Sequence, residues 1–94
     1  MGTYPRLRQK HLAGKLRQIR DALELSQSEM LKRLGVEKLI DAYRISEFET
    51  GKREPPLIVL LRYARVAGVC LDSLVDDEMD LPKRLPSKAK HTHK

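Results

Sequence analysis

Ninety-four residues, with one phenylalanine, three tyrosines and no tryptophan, supply apolar mass for one modest core packed by Leu, Ile, Val and Ala, which suits helices and leaves little for a second domain. The net charge of +6 is uneven: residues 1–20 carry six bases and no acid, 71–80 five acids and no base, and 82–94 five bases and no acid, a pattern that points to a polyanionic partner. Cys70 is the single cysteine, so an intramolecular disulfide and a cysteine-based zinc site are excluded; no apolar run is long enough to span a membrane and the charged N-terminus does not read as a signal peptide, which makes the chain read as cytoplasmic.

Residues 1–9, polar and basic with Pro5, read as a flexible basic arm. Between Lys10 and Glu24 the apolar positions Leu12, Leu16, Ile19 and Leu23 recur at helical spacing and predict a first amphipathic helix, weakened by about 1 kcal/mol at Gly14. Ser26-Gln27-Ser28-Glu29 is a capping box, with Leu25 and Met30 placed as a hydrophobic staple around it. A second helix of about two turns therefore starts at Gln27 and stops near Leu34, with Gly35 free to take the left-handed conformation that ends helices. Asp41 is placed to cap a third helix over Ala42–Glu49, with Ile40 and Ile45 as a second staple and Gly51 as its end. A start near Glu37, with one more turn, is left open by the sequence.

Lys52-Arg53-Glu54-Pro55-Pro56 reads as a basic loop in which Pro56 takes the first position of a fourth helix. Leu57, Leu60, Leu61 and Ala64 give that helix an apolar stripe, and Gly68 closes it. A fifth helix is expected from about Leu71 to Asp77. The single domain thus runs over residues 10–78. Residues 79–94, with Pro82, Pro86 and a basic run, read as a disordered tail, unless Leu81 and Leu85 dock on the body or on a second subunit.

Catalytic and metal chemistry find no footing in this pattern. Ser26, Ser28, Ser46 and Ser73 have capping or surface explanations, His91 and His93 lie in the basic tail without a carboxylate or thiol beside them, and the acids at 76–80 lack the spacing of a cation loop. The sequence implies no enzyme, no cofactor and no metal.

Leu25-Ser26-Gln27, Leu34-Gly35 and the run Ile45-Ser46-Glu47-Phe48-Glu49-Thr50-Gly51-Lys52-Arg53 resemble the Cro/C1-type helix-turn-helix proteins, the lambda-repressor-like XRE family. Pro56-Leu57, Leu60-Leu61, Tyr63-Ala64, Gly68-Val69 and Leu71-Asp72 with Leu74 continue the resemblance, which covers about Leu12 to Val75. It implies a compact all-α domain of five helices with flexible basic termini. It also implies a transcriptional regulator, a repressor, that binds duplex DNA as a homodimer, with its second helix across the backbone and its third in the major groove. The apolar edges of the fourth and fifth helices are the expected dimer surface.

The resemblance assigns roles residue by residue. Gln27 meets a phosphate at the start of the second helix. Lys52 and Arg53 clamp phosphates beside the third. Arg20 and Glu49 form a partly or fully buried ion pair that holds the reading helix to the scaffold. Asp41, Ala42, Tyr43, Ser46 and Glu47 face the groove with Arg44 beside them; Glu47 suits a cytosine amino group, and Tyr43 or Ala42 a thymine methyl. Affinity is thus expected from Lys52, Arg53 and the basic termini, and discrimination from Tyr43, Arg44, Ser46 and Glu47.

The sequence departs from the family pattern at two places. Leu31 stands where a small residue is usual. Between Gly35 and Gly51 the chain is longer than the family spacing, the surplus falling within Val36-Glu37-Lys38-Leu39-Ile40, where Lys38 is placed to reach backbone or groove. The acids at 41 and 47 and the longer turn favour a rival reading, a protein-interaction module such as an antitoxin or anti-regulator on the same fold. A non-specific binder relying on the basic arms is the third.

Overall fold

The computed structural model describes residues 8–87. Arg6, His91, His93 and the outer parts of both basic ends lie outside them. The described chain is all-helical, in the order α1 (Leu12–Ala22), α2 (Gln27–Leu34), α3 (Ala42–Thr50), α4 (Leu57–Ala67) and α5 (Asp72–Val75). Leu16, Ile19, Leu23, Met30, Leu34, Ile45, Phe48, Tyr63 and Leu74 are the largest fully buried side chains, so every helix contributes to one core.

Local chemistry sets most boundaries. At α2 the Ser26 hydroxyl accepts the Glu29 amide at 3.1 Å, and the Glu29 carboxylate accepts the Ser26 amide at 2.8 Å, completing the expected capping box. Gly35, Gly51 and Gly68 all take left-handed conformations past α2, α3 and α4, where a Cβ would be strained. Leu31 is buried rather than held away from the crossing of α2 and α3.

Val36 to Ile40 form a closed turn of their own. The Val36 carbonyl accepts the Leu39 and Ile40 amides at 2.9 and 3.0 Å, while Val36 and Ile40 point to the core. Asp41 is extended, with φ −102° and ψ 171°, and this break keeps the turn from joining α3. The helix therefore starts at Ala42. Asp41 occupies the cap position, but its side chain makes no capping hydrogen bond, contrary to expectation; its carbonyl accepts the Arg44 amide at 3.1 Å.

Three further expectations need correction in α4 and α5. Pro56 is extended at the cap position of α4 rather than its first helical residue. The buried face of α4 is Val59, Leu60, Tyr63, Ala64 and Ala67, whereas Leu57 is exposed and Leu61 half-buried. The spacing of Val59, Tyr63 and Ala67 fits one stripe as well as the leucines do, and Tyr63 brings the larger apolar area. Helix α5 is a single turn, shorter than the sequence pattern suggested.

That single turn is held from outside. Lys15, on α1 and only 5% exposed, donates from Nζ to the carbonyls of Ser73, Asp76 and Met79 at 2.8, 2.9 and 2.6 Å. A cation thus sits where α5 leaves its carbonyls unpaired. The reciprocal contact runs the other way: Asp77, just past α5, accepts the Lys10 and His11 amides at 2.8 and 3.1 Å. It caps α1, whose own N-cap His11 makes no side-chain bond. The Lys10 amide first, then the His11 amide, hold the Asp77 carboxyl below its ordinary pKa.

The stretch from 79 to 87 is not the loose tail expected from its prolines. Leu81 and Leu85 are buried in the common core, and the Ser87 amide donates to the Ala67 carbonyl at 3.3 Å. A Cβ on Gly68 would lie 2.9 Å from the Ser87 hydroxyl oxygen, so the chain passes closely over the end of α4. The alternative expectation, docking of these leucines on the body, describes what is found.

Candidate nucleic-acid interface

Helix α3 packs its Ile45 and Phe48 against α1 and α2 and turns its opposite side outward. Its position is fixed by an ion pair. Arg20 donates from Nε to Glu49 Oε2 at 2.6 Å and from Nη2 to Glu49 Oε1 at 3.0 Å, a two-pronged pair whose side chains are 12% and 3% exposed. Nη1 donates to the Leu25 carbonyl at 3.0 Å, so one guanidinium ties α1, the loop before α2 and α3 together. The bond to Glu49 raises the Arg20 pKa further. Tyr63 lies near this pair with its hydroxyl buried and without a hydrogen-bond partner among the described residues; burial, chiefly, drives its pKa far upward.

Around that anchor the expected site residues fall into two groups. Lys38, Tyr43 and Lys52 are exposed, Tyr43 at 64%. Gln27 is half-exposed at the first position of α2. Ala42 packs against the core, and Ser46 is half-buried with its carbonyl accepting the Thr50 hydroxyl.

Arg44, Glu47 and Arg53, expected to act separately, are joined. A single oxygen of Glu47, Oε1, accepts Arg44 Nη1 at 3.0 Å and Arg53 Nε at 3.2 Å. The Arg53 amide also donates to the Glu47 carbonyl at 3.3 Å, which folds the loop back onto α3. Glu47 is therefore already engaged, by partners on both sides, rather than presented as an open acceptor.

Sequence reasoning missed three features of this face. Leu39, at the crest of the longer turn, is 80% exposed. Arg8 donates to the Gly51 carbonyl at 3.1 Å and pairs with Glu54 at 3.4 Å, which places Arg8 at the end of α3. Arg8, Lys52, Arg53 and Glu54 line a shallow basic hollow there. Finally, part of the positive charge belongs to the scaffold: besides Lys15 and Arg20, Arg62 donates to the Leu34 carbonyl at 2.8 Å and Arg17 pairs with Asp21 at 3.2 Å.

Among the described residues no cluster of His, Cys, Asp and Glu is placed to hold a metal ion, and no helix is long and apolar enough to cross a membrane. Cys70 is exposed, its pKa lowered by the Ser73 hydroxyl above all. Residues 11–77 match the protein family described as a helix-turn-helix domain. No curated protein and no solved structure matches the chain.

Proposed function

The chain belongs to the helix-turn-helix domain family, and from that premise we propose that it binds duplex DNA sequence-specifically as a small transcriptional repressor in the cytoplasm. The observation that carries this reading is the outward side of α3: a helix locked to the body by Arg20 and Glu49, with Lys38 before its start and Arg44, Lys52 and Arg53 along and beyond it. In this arrangement α3 enters the major groove, Tyr43 meets base edges, and Gln27, Lys38, Lys52 and Arg53 meet phosphates. Leu57 and Ile58, exposed side by side at the start of α4, support a homodimer, which would bind two half-sites about one helical turn apart.

Selection from a random duplex library at near-physiological salt tests the reading. An enriched palindromic motif supports it, uniform salt-sensitive binding favours a non-specific binder, and no binding overturns it. Replacing Lys52 by Ala weakens binding to all sequences and lowers the slope of log affinity against log salt by about 0.9. The exposed Leu39 favours a second reading, a protein-interaction module of the antitoxin or anti-regulator kind. It predicts no enriched motif and loss of a protein partner in Leu39→Ala.

A further inference from the structure

We infer that Glu47 is an internal competitor for backbone phosphate: its carboxylate pairs with Arg44 and Arg53 in the free protein and offsets charge that a phosphodiester at their outer edges would otherwise meet in full. The inference rests on the DNA-binding reading above and gives Glu47 a role opposite to base recognition.

The geometry carries the argument. Both arginines meet one oxygen of one carboxylate, at 3.0 and 3.2 Å. That carboxylate is 15% exposed, while the arginines are 37% and 54% exposed, so the acid lies beneath the two cations with their outer edges in solvent. A guanidinium carries five N–H donors. Each of these two commits a single one to Glu47. The planar fork that grips a carboxylate grips a phosphate equally well, often through two parallel bonds.

Charge counting gives the same answer. Arg44, Glu47 and Arg53 sum to one positive charge where the two arginines alone would present two. Lys52 lies next in the chain to Arg53 and is exposed. The loop is held against α3 by the Arg53 amide on the Glu47 carbonyl, so removing the carboxylate leaves the backbone path intact. Glu47 thus holds down affinity for duplex DNA of any sequence while keeping two guanidinium groups gathered at the end of the reading helix. It is a positioning residue with an electrostatic cost.

The test compares wild type, Glu47→Gln, Glu47→Ala and Glu47→Gln combined with Arg53→Ala, with helical content checked by circular dichroism. Fluorescence anisotropy on a random-sequence duplex and on a library-selected duplex is read over a range of salt concentrations. Glu47→Gln and Glu47→Ala are expected to tighten the random duplex by up to about five-fold, the scale of one exposed ion pair. The salt slope steepens by about 0.9, the signature of one more phosphate contact. Adding Arg53→Ala abolishes both gains. Unchanged or weaker binding of the random duplex by folded Glu47 variants overturns the inference. So does an altered base preference without tighter random-duplex binding, which would restore Glu47 as a base reader. If wild type itself binds no duplex at any salt, the DNA-binding reading fails, and the inference with it.

Discussion

Replacing Lys15 by Met isolates the ammonium that closes α5. Met retains an unbranched stem of similar length, so the change removes the charge and its donors while largely keeping the packing. Lys15 is 5% exposed and Ser73 is 7% exposed, so the Ser73 carbonyl loses its partner in a site with little water. An orphaned buried acceptor costs about 1–3 kcal/mol, and a hydrogen bond to a charged group contributes about 1.5–3 kcal/mol. Asp76 and Met79 are exposed and regain water at their carbonyls, which limits the further loss. Relief of the desolvated charge offsets part of the rest. The net is a destabilisation of about 2–4 kcal/mol, or a fall in Tm of roughly 8–30 °C for a domain of this size. Urea denaturation gives the free energy, and amide hydrogen exchange over residues 72–87 localises it. A midpoint equal to or above that of wild type, with protection of 72–87 retained, would refute the reasoning.

Breaking the other buried pair has a larger expected effect: Glu49→Ala leaves Arg20 enclosed and costs about 3–5 kcal/mol, with Glu49→Gln costing less because one acceptor survives. Thermal stability unchanged in Glu49→Ala would reduce the pair to a surface ornament. Asp77→Asn tests the cap on α1. A carboxyl whose pKa is depressed on folding stabilises above its unfolded value, and this stabilisation is lost as pH falls through the lower folded value. The lead of wild type over Asp77→Asn is therefore full at neutral pH and shrinks below about pH 4; a gap of constant size over that range contradicts the assignment. Tyr63→Phe removes a buried hydroxyl that has no partner among the described residues and is expected to be neutral or stabilising by up to about 2 kcal/mol in chemical denaturation. A clear loss of stability would reveal a partner for that oxygen.

Features whose partners lie close in the chain were legible in the sequence. Ser26 and Glu29 are three residues apart, and Gly35, Gly51 and Gly68 declare helix ends by conformational freedom alone. Arg20 and Glu49 were expected only through resemblance, since nothing local links positions 29 residues apart. Lys15 and Asp77 escaped notice because their partners lie 58 to 67 residues away, and each looks from the sequence like an ordinary surface charge. Asp41 shows the converse: the right residue type stands at the cap position, yet its side chain makes no cap. At the candidate site, the exposure of Tyr43 followed from helical phase, opposite Ile45 and Phe48, and that of Lys38 and Lys52 from their place in the segments flanking α3. The joining of Arg44 and Arg53 through Glu47 depends on how the loop after Gly51 folds back, which no spacing rule encodes.

Leu81 and Leu85 change what counts as the folding unit. The family match ends at residue 77, yet the core takes in side chains beyond it. Full burial of each leucine is worth about 1.5–3 kcal/mol. The pair is thus comparable with a large share of the roughly 5–15 kcal/mol that separates a native domain from its unfolded chain. A fragment cut where the family resemblance stops would keep every helix in its sequence and still sit close to its own melting point. The core of this domain thus reaches past the family match, to Leu85.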